Sequence, residues 1–140
     1  MRERAEPRSR TDPVRTSERG SAVVDFVMVG ALVIAVFMAL IQLSLALHVR
    51  NILMDSAAEG ARFGASAGAT PADAVSRTRY LISLALPTSF GSGVSAVDTT
   101  HDGVATVRVD VSAPLPVIAL TGVGPTVNLS AHAIDEDGLP

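Results

Sequence analysis

Residues 20–47 read GSAVVDFVMVGALVIAVFMALIQLSLAL. From Phe26 to Leu47 there is no charged side chain, and only Gln42 and Ser44 interrupt the apolar run. At the α-helical rise, about 22 residues extend about 33 Å, against a hydrocarbon core of roughly 30 Å. A retained membrane-spanning helix over 26–47 is the expected reading. The run is longer than the apolar region of a cleaved signal peptide, although Ser44-Leu45-Ala46 offers a small-x-small site for that alternative. One acid, Asp25, stands at its start.

The charges around this run set an orientation. Arg2, Arg4, Arg8, Arg10, Arg15 and Arg19 precede it, whereas only Arg50 and Arg62 follow within twenty residues. Basic residues are retained on the cytoplasmic side, so the N-terminus is expected in the cytoplasm and the C-terminal part outside. All 11 basic residues are arginine, but the net charge is −3 and no basic patch accumulates, which argues against a nucleic-acid partner. Without cysteine the chain has neither a disulfide framework nor a thiolate metal site.

Outward from the run, residues 1–20 are polar, with charges of both signs and with Pro7 and Pro13, as in a cytoplasmic leader. Beyond it the helical pattern continues, giving one long helix over 21–69. Val49, Ile52 and Leu53 share an apolar side, while Asp55, Glu59, Arg62 and Ser66 share a polar one. Small residues recur every four positions: Ser56, Gly60, Gly64 and Gly68, then Ala57, Ala61, Ala65 and Ala69, and, inside the apolar run, Ala31, Ala35 and Ala39. Such rows let a second backbone approach closely. Glycine is a poor helix former, so Gly60 and Gly64 in particular call for a packing partner, either another subunit or the chain's own sheet.

Residues 70–140 are expected to form a small α+β portion. Thr70-Pro71-Ala72-Asp73 has the signature of a helix start, and the second helix should run to about Leu86 with Val75, Leu81, Ile82 and Ala85 on its apolar face. Three antiparallel strands follow, over 94–100, 103–113 and 126–134. Asp102-Gly103 makes the hairpin turn, and Val107, Val109, Val111, Leu129 and Ala131 alternate with polar residues. Leu115 to Pro125 is an apolar loop that could cover the sheet edge, touch lipid or meet a neighbouring subunit. Residues 135–140 make an acidic tail.

No enzymatic pattern emerges. His48, His101 and His132 are far apart in sequence and lack metal-ligand spacing, and there is no nucleophile elbow, phosphate loop or dinucleotide fingerprint. Neither a metal nor another cofactor is expected.

What remains is Gly20-Ser21-Ala22-Val23-Val24-Asp25-Phe26 leading into the apolar helix, and downstream the string Ala57-Ala58-Glu59-Gly60-Ala61-Arg62-Phe63 after Leu47-His48-Val49-Arg50-Asn51. The first resembles the cleavage motif of type IV prepilins, and the two together resemble the TadE-like pilus assembly proteins. The resemblance implies a non-enzymatic, single-pass, pilin-like subunit of a tight-adherence pilus or secretion assembly. Its partners would be the lipid bilayer, other pilin-like subunits, the assembly machinery and a prepilin peptidase. It further implies cleavage between Gly20 and Ser21, and a role for Asp25 as the carboxylate that pairs with a neighbouring subunit's amine. Arg50, Glu59, Gly60, Ala61 and Arg62 would be the family-like positions. Asp25 stands where glutamate is usual, Gly30-Ala31 lies where proline is common, and Gln42 where an acid is frequent. The contrasting reading is a signal-anchored binding or adaptor domain that does not polymerise.

Overall fold

The computed structural model describes residues 17–114 and 126–135. The leader up to residue 16, the apolar loop 115–125 and the tail 136–140 lie outside the described residues, so the readings made for them have no structural counterpart here. The fold is α+β, as expected. Helix α1 (Ser17–Gly64) is followed by helix α2 (Pro71–Ala85) and a 3₁₀ turn (Thr88–Gly91). Strands β1 (Gly93–His101), β2 (Val104–Pro114) and β3 (Thr126–Ile134) complete the chain. Two compact units divide it, residues 1–39 and 40–140.

In the first unit the described residues are the start of α1, and their apolar side chains are exposed throughout, Phe26, Leu32, Ile34 and Phe37 among them. In the second unit Leu40, Ile41, Leu43, Leu45 and Leu47 of α1 are exposed, and from Val49 onward it becomes a core helix. Val49, Leu53, Ala57, Ala61 and Ala65, at four-residue spacing, are all buried. They form one cluster with Ala74 and Ile82 of α2 and with Val94, Val107, Val109, Val111, Ala113, Leu129 and Ala131 of the sheet. The alternation read in β2 and β3 is thus the core face of the sheet.

Helix α1 is shorter than the expected 21–69 at its outer end. After Gly64 the Ser66 N–H and hydroxyl both turn back onto the Phe63 carbonyl, at 3.3 and 2.7 Å. Gly68 then takes φ +77°, a left-handed conformation that redirects the chain into α2. Thr70 caps α2 as expected. Its hydroxyl accepts from the Asp73 N–H at 3.3 Å, and the Asp73 carboxylate accepts from the Thr70 N–H at 2.9 Å. Thr70→Ala removes one arm of this capping box and should lower domain stability by about 1 kcal/mol, read by thermal unfolding.

The buried face of α2 departs from the expectation. Ala74, Thr78 and Ile82 are buried, Val75 and Leu81 are half-buried, and Ala85 is exposed. The inward face is the four-residue row Ala74, Thr78 and Ile82. Arg79 ties the far end of this layer together, its Nε donating to the Gly91 carbonyl at 3.1 Å and its terminal nitrogen to the Val94 carbonyl at 3.2 Å.

The sheet is an antiparallel meander in the order β1-β2-β3. Asp102 and Gly103 both have positive φ, +52° and +81°, which is what a two-residue hairpin turn between His101 and Val104 requires. On the face away from the core, the Arg108 Nε donates to one oxygen of Asp110 at 3.0 Å, and the Ser130 hydroxyl donates to the other at 2.7 Å.

Candidate functional site

The residues singled out in the sequence fall into two groups. The first lies on the apolar half of α1. Gly20, Ser21 and Asp25 are all helical and exposed, and a Cβ placed on Gly20 would meet nothing within 4 Å. Ser21 and Asp25 stand one turn apart on one side of the helix. A peptidase requires an extended segment, whereas Gly20 lies in the first turn of α1, which begins at Ser17. Cleavage there needs that turn to open, a change that is cheap at a helix end whose first N–H groups have no intrahelical partner. Ala31, Ala35 and Ala39 are exposed and form an open row along the same half.

The second group is the string Glu59 to Phe63, and it is occupied by the chain itself. A Cβ on Gly60 would overlap the Thr78 hydroxyl and come within 3.0 Å of the Ala74 carbonyl. On Gly64 a Cβ would stand 2.5 Å from the Ala74 Cβ and 3.4 Å from Val107 Cγ1. The glycine row of α1 is therefore the bed for the small residues of α2. Thr78 can lie in it because its hydroxyl donates back to the Ala74 carbonyl at 2.8 Å, so no polar group is left stranded. Around this contact Glu59 faces Arg77 at 3.7 Å and Arg62 at 3.8 Å. The Arg77 guanidinium lies 5.8 Å from the centre of the Phe63 ring. These ion pairs are partly solvated and contribute little energy; they fix how α2 is seated. Arg50 is exposed on α1.

Histidines far apart in sequence come together in one case. The rings of His101 and His132 approach to 5.3 Å between centroids, tilted by 31°, because the meander carries the end of β1 towards β3. Strand order could have signalled this; spacing along the chain could not. His101 also lies 3.8 Å from Asp102. Among the described residues no group of three or more histidine or acidic side chains is placed to hold a metal ion. Shallow surface depressions among the described residues include one between α2 and the 3₁₀ turn beside Arg79 and Tyr80, one between α1 and α2 beside Asp55 and Leu81, and one beside Arg62, Ala65 and His132.

One helix among the described residues, α1, is long and apolar enough to cross a membrane. Residues 20–62 match the family model for TadE-like protein. The chain carries a TadE-like domain. No curated protein and no solved structure matches the chain. The TadE-like segment lies wholly inside α1, beginning at the glycine ahead of the apolar run and ending in the bed for α2. A TadE-like segment on an apolar N-terminal helix fits a pilin-like membrane protein of pilus assembly. The α2 layer and the sheet lie outside the match.

Proposed function

We propose that the chain is a non-enzymatic minor pilin-like subunit of a tight-adherence pilus or secretion assembly. Residues 1–20 are a cytoplasmic leader removed by a prepilin peptidase, 26–47 cross the bilayer, and the portion from 70 onward is exported, folded against the outer half of α1. The observation that carries this reading is the coincidence of the TadE-like match with a helix that opens on Gly20 and Asp25 and then exposes an uncharged face. Cutting after Gly20 leaves a free amine on Ser21, one turn from Asp25, where an acid is favoured by the helix dipole and by the new positive charge. The Asp25 carboxylate then pairs with the amine of the adjoining subunit, which offsets two charges in a low-dielectric layer. Ala31, Ala35 and Ala39 give that neighbour's helix a close approach.

Co-expression with a prepilin peptidase, followed by N-terminal sequencing, should yield a mature chain beginning at Ser21. Recovery of an intact Met1 terminus from peptidase-positive cells would refute processing.

A further inference from the structure

The side of α1 that enters the core does not stop at Val49. Stepping back from Val49 and Leu53 by helical spacing leads to Leu45, Ala46 and Gln42. Gln42 and Ala46 are half-buried, whereas Ala31, Ala35 and Ala39 on the same helix are exposed. Leu45 is 36% exposed, against 49–57% for Leu40, Ile41, Leu43 and Leu47. This side of the helix is covered, and the described elements end before they reach it.

A few contacts fix where they end. A Cβ on Gly64 would stand 3.4 Å from Val107, and Arg62 and Ala65 share a depression with His132, Ala133 and Ile134. The outer end of α1 therefore lies over the level where Val107 pairs with Ala133. From Val107, β2 reaches back only to Val104 but forward to Pro114. Val49 and Leu53, buried in one cluster with Val111, Ala113 and Leu129, lie over the longer arm. Gly64 to Val49 is about 22 Å of helix and Val107 to Pro114 about 23 Å of strand, so the sheet gives out level with about Val49. Helix α2 stops earlier. Ala74 lies beside Gly64 and Thr78 beside Gly60, which sets Ala85 level with about Leu53.

The chain that leaves the sheet at this level is 115–125, LPVIALTGVGP, between Pro114 and Thr126, which pair with each other. It carries no charge, and Thr121 is its one polar side chain. A segment of this length with its ends held together reaches at most about 18–20 Å from them. Ala46 and Gln42 lie about 5 and 10 Å beyond Val49 along the axis.

We infer that residues 115–125 pack on the Gln42, Leu45 and Ala46 side of α1, extending the domain core beyond the end of the sheet. Their valine, isoleucine and leucine side chains take the place there that strand residues take over Leu53 and Ala57. Leu43 and Leu47 stay open to lipid or to another subunit; the Gln42 side does not. Irregular backbone must lie outside the hydrocarbon or be buried in protein. Under the proposed topology the lipid-facing run then ends at about Ile41, and 22–41, about 30 Å long, still suffices to span. The contact itself lies wholly within the unit 40–140.

The chain has no cysteine, so introduced pairs report this contact alone. Ala46→Cys is combined in turn with Val117→Cys, Ile118→Cys and Leu120→Cys in the full chain, purified in detergent and oxidised with copper phenanthroline. Ser44→Cys, exposed and about 160° around the helix from Ala46, is combined with the same three as the comparison. A disulfide needs Cα atoms within about 7 Å. The expected result is an intramolecular disulfide in at least one Ala46 pair, at several-fold higher yield than in its Ser44 counterpart, read by non-reducing electrophoresis and peptide mass spectrometry. Absence of the bond from all three Ala46 pairs overturns the inference, as does equal yield from the Ser44 pairs. A disulfide-linked dimer in place of the intramolecular bond also overturns it, in favour of a second copy on that side of α1. Each of these outcomes leaves the membrane span and the pilin-like reading standing.

Discussion

Gly60→Val should unfold the C-terminal domain. The Cβ atom alone overlaps the Thr78 hydroxyl and crowds the Ala74 carbonyl, so α2 cannot stay seated on α1. Because the obstruction includes backbone, no side-chain rotation relieves it. Lifting α2 also breaks the burial of Ala61, Thr78 and Ile82, so the penalty belongs at or above the top of the overpacking range, about 3 kcal/mol. Small domains have stabilities of about 5–15 kcal/mol, and this one, with a core rich in alanine, belongs near the lower end. Circular dichroism melts and limited proteolysis of the full chain in detergent would register the loss. Gly20→Ala and Gly30→Ala provide the contrast, since a Cβ at either meets nothing within 4 Å, and both should be neutral or gain up to about 1 kcal/mol from helix propensity. Gly60→Ala combined with Thr78→Ala should recover part of what Gly60→Ala loses, and the non-additivity measures the contact.

The second large effect follows from the proposed assembly role. Asp25→Ala should still insert, since the change makes the helix start more apolar, but it should abolish incorporation into sheared filaments. Asp25→Glu restores the carboxylate one methylene further out, at the length usual in pilins, and should support incorporation. Immunoblots of sheared surface fractions against total membrane would separate the two variants. Filaments containing Asp25→Ala at the normal level would remove Asp25 from the assembly contact.

Much of this architecture is legible in the amino-acid order because its signals are local. The strands show themselves by period-two alternation, the hairpin by Asp102-Gly103, and the start of α2 by a threonine, a proline and an acid at the right offsets. The outer end of α1 falls at Gly64 and not at Ala69, a difference the sequence does not mark because Gly64 and Gly68 look alike in it; of the two only Gly68 adopts positive φ. The inner face of α2 differs from the expected one for another reason. Ala74 and Thr78 are buried because Gly60 and Gly64 lie beneath them, so the face is a property of two helices together. Hydrophobicity along α2 favours Ala85, which is exposed. The partner of the glycine row was open between another subunit and the chain's own sheet, and the answer is chiefly the chain's own second helix. The approach of His101 to His132 depends on strand order, which no spacing along the chain encodes.

The sharing of α1 between two environments bears on how such a subunit withstands cleavage. The connection from Ser66 to Thr70 is the exposed joint a protease would choose, and cutting it would ordinarily shed an ectodomain. Here the cut would release nothing by itself, because Val49, Leu53, Ala57, Ala61 and Ala65 remain embedded in the core on the far side of the break. Under the proposed topology the anchor would also be a structural member of what it anchors, so the C-terminal domain would not be lost to the medium without first coming apart.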